Sequence, residues 1–295
     1  MVPLNTLFKS REIAYHLDDS GGAVLYFCFE GTDAMPTGEY GRSAFSEADG
    51  CREILFSLRG FGCGDDGRWN RCAARYRLGL GRDPRRGVCC PTDTAVVLYT
   101  SGTTGRPKGA ELTHANMVLN ALTANRLFDS NPLRHDTYLL TLPLFHSFGQ
   151  TVTMNAGLSV GATLVLMPRF EAKAALDLML AESVTVFAGV PTMYWALLGA
   201  VDESVDVKQI ARTLRRAISG GAALPVEILT RFADRFGIGI LEGYGLSETS
   251  PLAMFSDPPN GTRGPVRSGV PVWGDRSDAH RRAREPPRDR TRRGR

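Results

Sequence analysis

Between residues 91 and 270, short apolar runs alternate with stretches of helical period, and that alternation leaves few folds open. Residues 95–99, 139–142, 162–167, 184–188, 214–218 and 238–241 read as strands. Residues 147–158, 172–182 and 192–198 have helical spacing, with Pro225 where a first helical turn favours it and Gly237 where a helix ends. Strands separated by helices imply an α/β fold, a largely parallel sheet covered by helices. Ligands in such folds bind at the carboxyl ends of the strands, and the glycine-rich segments fall mainly there.

The most telling segment is Thr100-Ser101-Gly102-Thr103-Thr104-Gly105-Arg106-Pro107-Lys108-Gly109, after a strand-like run and before a helix expected near Thr113. Four hydroxyls and three glycines in ten residues cannot build a core. They can wrap phosphate oxygens with backbone N–H groups and hydroxyls, with Lys108 adding charge. The usual P-loop runs Gly-Lys-Ser/Thr straight into a helix; here Pro107 precedes Lys108 and Gly109-Ala110 follow. A flexible linker is the competing reading, and the flanking strand and helix signals of a βα turn argue against it.

Further on come Leu142-Pro143-Leu144-Phe145-His146-Ser147, Gly189-Val190-Pro191-Thr192, Ser219-Gly220-Gly221-Ala222 and Glu242-Gly243-Tyr244-Gly245-Leu246-Ser247-Glu248-Thr249. With the first loop, and in this order, they resemble the motifs of the adenylate-forming superfamily: acyl-CoA synthetases, luciferases and peptide-synthetase adenylation domains. The resemblance implies activation of a carboxylic acid by ATP with Mg²⁺, then transfer to coenzyme A, and the segments at Leu142 and Glu242 look most like fatty acyl ligases. It implies that the loop, Thr100 to Gly109, holds the β- and γ-phosphates. Gly220, Gly221 and Ala222 would line the nucleotide and acyl pocket. Glu242, Gly243, Tyr244 and Gly245 would border the nucleotide, with Tyr244 against adenine. Ser247 would reach the α-phosphate, Glu248 would hold the metal, and His146 would lie at the acyl pocket. Serine at 247 replaces the family's threonine and keeps the hydroxyl. The family's catalytic lysine and ribose-binding aspartate cannot be placed, since no lysine follows Lys208.

The same resemblance suggests that the chain begins partway into a large N-terminal domain and lacks the C-terminal lid domain. The domain reading is a partial α/β segment over 1–50, an atypical Arg/Gly/Cys-rich stretch over 51–90 for which disorder is one reading, an AMP-binding core over 91–274 and a disordered basic tail over 275–295. This polypeptide alone is expected to show little or no ligase activity. An aryl- or amino-acid-adenylating domain feeding a carrier protein is one alternative; a non-catalytic nucleotide-binding remnant is another.

Charge argues against nucleic acid as the partner. Residues 51–90 and 275–295 each carry nine arginines against four acidic residues, so the rest of this +4 chain is net −6. Five of the six cysteines, Cys51, Cys63, Cys72, Cys89 and Cys90, lie in the first basic stretch at spacings that match no zinc pattern. No run approaches the roughly 18 apolar residues of a membrane span, and a cytoplasmic location is expected. A long-chain substrate would bring transient membrane contact, with no amphipathic anchor evident; oligomeric state is not legible.

Residues 60–69 have neither a 3.6- nor a 2-residue period, and family-like sequence returns abruptly at Pro91-Thr92-Asp93-Thr94. A translated alternative reading frame accounts for both. Resequencing the coding DNA is expected to reveal a frame change in this region; an intact frame confirmed by peptide mass overturns it.

Overall fold

The computed structural model describes residues 1–21, 25–29, 36–48, 51, 53–57, 89–101, 105–256 and 269–271. The sequence readings of residues 58–88, of 275–295 and of Gly102, Thr103 and Thr104 lie outside them. The chain divides into two compact units, Met1–Met117 and Val118–Arg295. Among the described residues no helix is long and apolar enough to cross a membrane.

In the first unit, α1 (Ser10–Asp19) turns Ile13, Ala14, His16 and Leu17 inward. Its apolar stripe packs with Ala44 of α2 (Thr37–Glu47) and with Cys51. Strands β1 (Leu25–Phe29) and β2 (Glu53–Ser57) pair in parallel, Leu25 opposite Glu53. The compositional break at Cys51 therefore falls between α2 and β2.

A hairpin follows, β3 (Thr94–Thr100) antiparallel to β4 (Lys108–Thr113), with Thr100 opposite Lys108. The glycine-rich loop thus closes a hairpin, where the sequence suggested a strand-to-helix turn. Leu112 is the reason. Alternate burial along β4 carries it into a small core with Val96, Leu98 and Met117, so the chain stays extended for one more strand. Only then does α3 (His114–Phe128) begin, capped by Thr113, whose Oγ1 accepts the Asn116 N–H at 3.1 Å.

The second unit is built on one sheet. Strands β5 (Thr137–Leu140), β6 (Thr163–Leu166), β7 (Val186–Gly189), β8 (Arg216–Ser219) and β9 (Ile240–Gly245) run parallel; β10 (Leu252–Ser256) and β11 (Gly269–Pro271) extend the edge antiparallel. The order is β11-β10-β9-β8-β7-β5-β6. Between β5 and β6 the predicted helix is a π-helical stretch, Phe148–Asn155, running into the short α4 (Ala156–Ser159).

Side chains alternate across this sheet as strand geometry requires. Leu139, Phe187 and Ala217 enter a core with α5 (Ala172–Ala181), α6 (Pro191–Ala200), α7 (Val207–Thr213) and α8 (Val226–Phe236). Tyr138, Leu140, Val186, Ala188 and Ile218 enter the opposite core with Ala121, Ala124, Phe128, Val152 and Ala156. Helix α8 buries Ile228, Leu229, Phe232, Ala233 and Phe236, one stripe of a helical period, and stops at Gly237 with φ 68°.

The amino ends of three strands are tied by charge. Asp136, Thr185 and Arg215 directly precede β5, β7 and β8. Arg215 Nε donates to Asp136 Oδ1 at 2.8 Å, Thr185 Oγ1 donates to the same oxygen at 2.8 Å, and Arg215 Nη1 reaches the Phe128 carbonyl at 2.6 Å. A second guanidinium contact, from Nη2 to Asp136 Oδ2, completes the pair. Burial pushes the Asp136 carboxyl up, but the bonds from Arg215 and Thr185 outweigh it and hold the pKa below its ordinary value. A depressed carboxylate stabilises the fold above its unfolded pKa, and the contribution is lost as pH falls through the folded value. Arg215→Met should therefore cost about 3–5 kcal/mol near neutrality by stranding a buried charge. Urea denaturation across pH should show the gap to wild type narrowing as acid protonates Asp136.

Candidate functional site

At the opposite, carboxyl end of the sheet the chain is dominated by glycine, and the geometry shows why. Strand β8 ends at the fully buried Ser219, and Gly221 turns the chain away with φ +82°. A Cβ on Gly220 would lie 3.1 Å from the Phe148 ring and 3.2 Å from the Gly243 carbonyl. Glu242-Gly243-Tyr244-Gly245 lies inside β9. A Cβ on Gly245 would stand 2.1 Å from the Pro251 carbonyl oxygen, so no side chain fits there unless the backbone shifts.

After β9 a 3₁₀ turn, Ser247–Thr249, reverses the chain into β10. Its anchor is Asn120 on α3, which is fully buried. The amide nitrogen donates to the carbonyls of Thr249 at 3.2 Å and Leu252 at 3.0 Å, and its oxygen accepts the Leu252 N–H at 3.2 Å. These bonds satisfy backbone groups that an irregular turn would otherwise leave buried and unpaired. Sequence reasoning missed this residue. Its signal was a polar side chain on the stripe of α3 that also carries Met117, Ala124 and Phe128, three to eight residues away.

Between these segments is a cavity of about 160 Å³. Phe148, Val152, Ile218, Leu246, Pro251, Leu252 and Phe255 supply apolar walls; His146, Ser147, Gly220, Gly221, Gly243, Tyr244, Gly245 and Ser247 complete the lining. The Ser147 hydroxyl is buried without a hydrogen-bond partner, as are Oε1 of Gln150 and the Ser219 hydroxyl. His146 Nδ1 accepts the Phe148 N–H at 3.2 Å, which places the ring proton on Nε2. His146 is exposed at the rim, yet crowding by its surroundings desolvates the ring and lowers the imidazole pKa. Both effects favour the neutral ring.

The remaining sequence-selected residues are placed as follows. Ala222, Glu242 and Glu248 are not among the cavity's lining residues. Glu242 is engaged in structure: its Oε1 accepts the Leu224 N–H at 3.1 Å and its own N–H donates to Ser256 Oγ at 2.8 Å. Tyr244 is 59% exposed. Glu248 is exposed, and among the described residues no hydrogen bond or ion pair engages its carboxylate. Among the described residues no three His, Cys, Asp or Glu side chains gather as a ready-made metal cluster.

In the first unit, Thr100 is the last residue of β3 and Lys108 the first of β4; Ser101, Gly105 and Lys108 are exposed. Gly105 takes φ +87°. Gly109 belongs to β4, opposite Tyr99, where a Cβ would meet the Tyr99 ring at 3.2 Å and Val97 Cγ1 at 2.7 Å.

Comparison with known proteins agrees with this architecture. The family model described as AMP-binding enzyme matches residues 1–279. The chain is similar to a long-chain-fatty-acid–CoA ligase of Bacillus subtilis (strain 168), 38% identical over 162 residues, 54% of this chain and 28% of that protein. It is also similar to a feruloyl-CoA synthase of Amycolatopsis sp, 34% identical over 273 residues, 92% of this chain and 49% of that one. Among solved structures, ATP-bound MatB from Rhodopseudomonas palustris superposes with a TM-score of 0.68 at 28% identity, over 92% of this chain and 49% of MatB. The chain thus spans half or less of the length of these relatives.

The neutral state of His146 can be tested directly. An NMR titration of the imidazole should give a pKa below the ordinary value of about 6.5, with the proton on Nε2. A normal or raised pKa, or an Nδ1–H tautomer, would contradict the geometry.

Proposed function

This chain belongs to the AMP-binding enzyme family, and from that premise we propose that it serves ATP-dependent activation of a carboxylic acid to an acyl-adenylate, followed by thioester formation with coenzyme A. One observation carries the reading. The carboxyl end of a parallel sheet presents a cavity with apolar walls and a glycine-lined mouth, and an unpartnered acid, Glu248, stands two residues beyond that mouth's Leu246.

The chemistry asks for such a division of labour. A carboxylate is a poor nucleophile and is repelled by the triphosphate it must attack. The apolar cavity takes the acyl body and excludes water from it. Gly220, Gly221, Gly243 and Gly245 have no side chains to keep a flat base and a phosphate away from backbone. Tyr244, exposed beside them, offers a face for adenine, and Ser247 a hydroxyl for the α-phosphate. Mg²⁺, when bound, would supply charge neutralisation at the phosphates; Glu248 suits it, because this cation takes one or two carboxylates and completes its shell with phosphate oxygens and water. In the first unit, the loop from Thr100 to Gly109, with the Lys108 ammonium unpaired among the described residues, would hold the departing β- and γ-phosphates. His146, at the cavity, offers Nε2–H as a donor where the acyl group and the thiol meet.

A fatty acid is the substrate favoured by the Leu142–His146 and Glu242–Thr249 segments. The cavity itself favours a second reading. At about 160 Å³ it matches the size of a cavity that accepts a benzene ring, about 150 Å³, which suits a compact aryl acid.

Calorimetry with ATP and Mg²⁺ tests the premise of binding. Glu248→Ala should weaken ATP binding about tenfold when Mg²⁺ is present, roughly 1.4 kcal/mol, and leave binding in EDTA unchanged. Pyrophosphate exchange with benzoate, ferulate, malonate and palmitate then assigns the acid. No binding of ATP by the wild-type chain would sink the proposal.

A further inference from the structure

Ser147 carries a hydroxyl that the fold itself does not use. It directly precedes the π-helical stretch Phe148–Asn155, where a serine ordinarily accepts the N–H of the second or third helical residue. Here the side chain makes no such bond. The backbone of Ser147 is already helical, with φ −54° and ψ −35°, and N–H groups beside it are taken by His146. The Phe148 N–H donates to His146 Nδ1 at 3.2 Å, and the Gln150 N–H to the His146 carbonyl at 2.9 Å. Ser147 is fully buried and lines the cavity at the carboxyl end of the sheet. Among the described residues its hydroxyl has no hydrogen-bond partner. The walls formed by Phe148, Val152 and Phe255 are hydrocarbon and cannot supply one. A buried hydroxyl left unpaired costs free energy that alanine, nearly the same size, would avoid.

We propose that Ser147 is a specificity-determining residue, its hydroxyl bonding an oxygen on the body of the acid, so that the cavity selects a compact acid with a ring hydroxyl over a wholly apolar one. The inference rests on the reading that this cavity takes the acyl body. Size and chemistry then act together. A cavity of about 160 Å³ with hydrocarbon walls receives the ring, and a ring hydroxyl carried into it must leave its water behind. Ser147 offsets that loss, because a serine hydroxyl can both donate and accept. An acid with a methyl group in the same place makes no such bond and leaves Ser147 unpaired. Sites discriminate most strongly when the wrong ligand strands a buried polar group.

A methyl group is the control, since it matches a hydroxyl in size and cannot hydrogen-bond. In the full chain, with AMP present and ATP absent so that no turnover occurs, calorimetry measures binding of the three hydroxybenzoates and the three methylbenzoates. Wild type and Ser147→Ala are compared. Wild type should bind at least one hydroxybenzoate about tenfold more tightly than its methyl counterpart. Ser147→Ala should bring that ratio to one or below, at a melting temperature no lower than that of wild type. A wild type with no hydroxyl preference at any ring position overturns the assignment and leaves the cavity as the acyl site. A preference that survives in Ser147→Ala overturns it as well. So does a clear fall in the variant's melting temperature, which would mark the hydroxyl as part of the fold. Binding of palmitate or malonate but of none of the six benzoates also overturns the assignment alone. A wild type that binds no acid at all removes the cavity reading and the assignment with it.

Discussion

A parallel sheet covered on both faces has nowhere to do chemistry except at the ends of its strands, and the second unit follows from that restriction. Tyr138 and Leu140 face one core while Leu139 faces the other; the backbone between them is spent on neighbouring strands. What differs is how the two ends are finished. At the amino end, Asp136, Thr185 and Arg215 lock three strands together with a buried ion pair. At the carboxyl end the same strands run out into glycine and small hydroxyl residues. One end is closed by charge and the other is left open by the absence of side chains.

Openness of this kind needs support from further away. The Ser247–Thr249 turn has little core of its own, and Asn120 holds it by three backbone bonds. Glu242 does the equivalent for the segment after Gly221, fastening Leu224 to β9. Both polar residues are used for shape. Glycine has two separate uses as well: Gly221 and Gly105 take positive φ in turns, whereas Gly245 and Gly109 permit a carbonyl or a ring to come close.

The alternation of strands and helices was legible because burial on both sheet faces writes itself into local hydrophobicity, and so were the order of the motifs and the stop at Gly237. Less local facts were not. Nothing in the run after Pro107 distinguishes a strand from a loop until Leu112 is seen in the core with Val96 and Leu98. Glu242 reads as one more residue of a nucleotide motif until its carboxylate is found on Leu224. Asn120 looks like an ordinary helix residue until its partners, some 130 positions later, come into view. Composition is silent on one more element: arginine and glycine enrichment begins at Cys51, yet residues 53–57 pair with residues 25–29 through backbone bonds that composition does not show.

The ring of His146 has one nitrogen already committed inward, to the Phe148 N–H. While that bond stands, an incoming molecule meets an N–H and no lone pair. Such a group can recognise a carbonyl or carboxylate oxygen, but it cannot strip a proton from a thiol. Deprotonation of any sulfur nucleophile would therefore fall to solvent or to a group elsewhere, and the imidazole would serve to orient the electrophile.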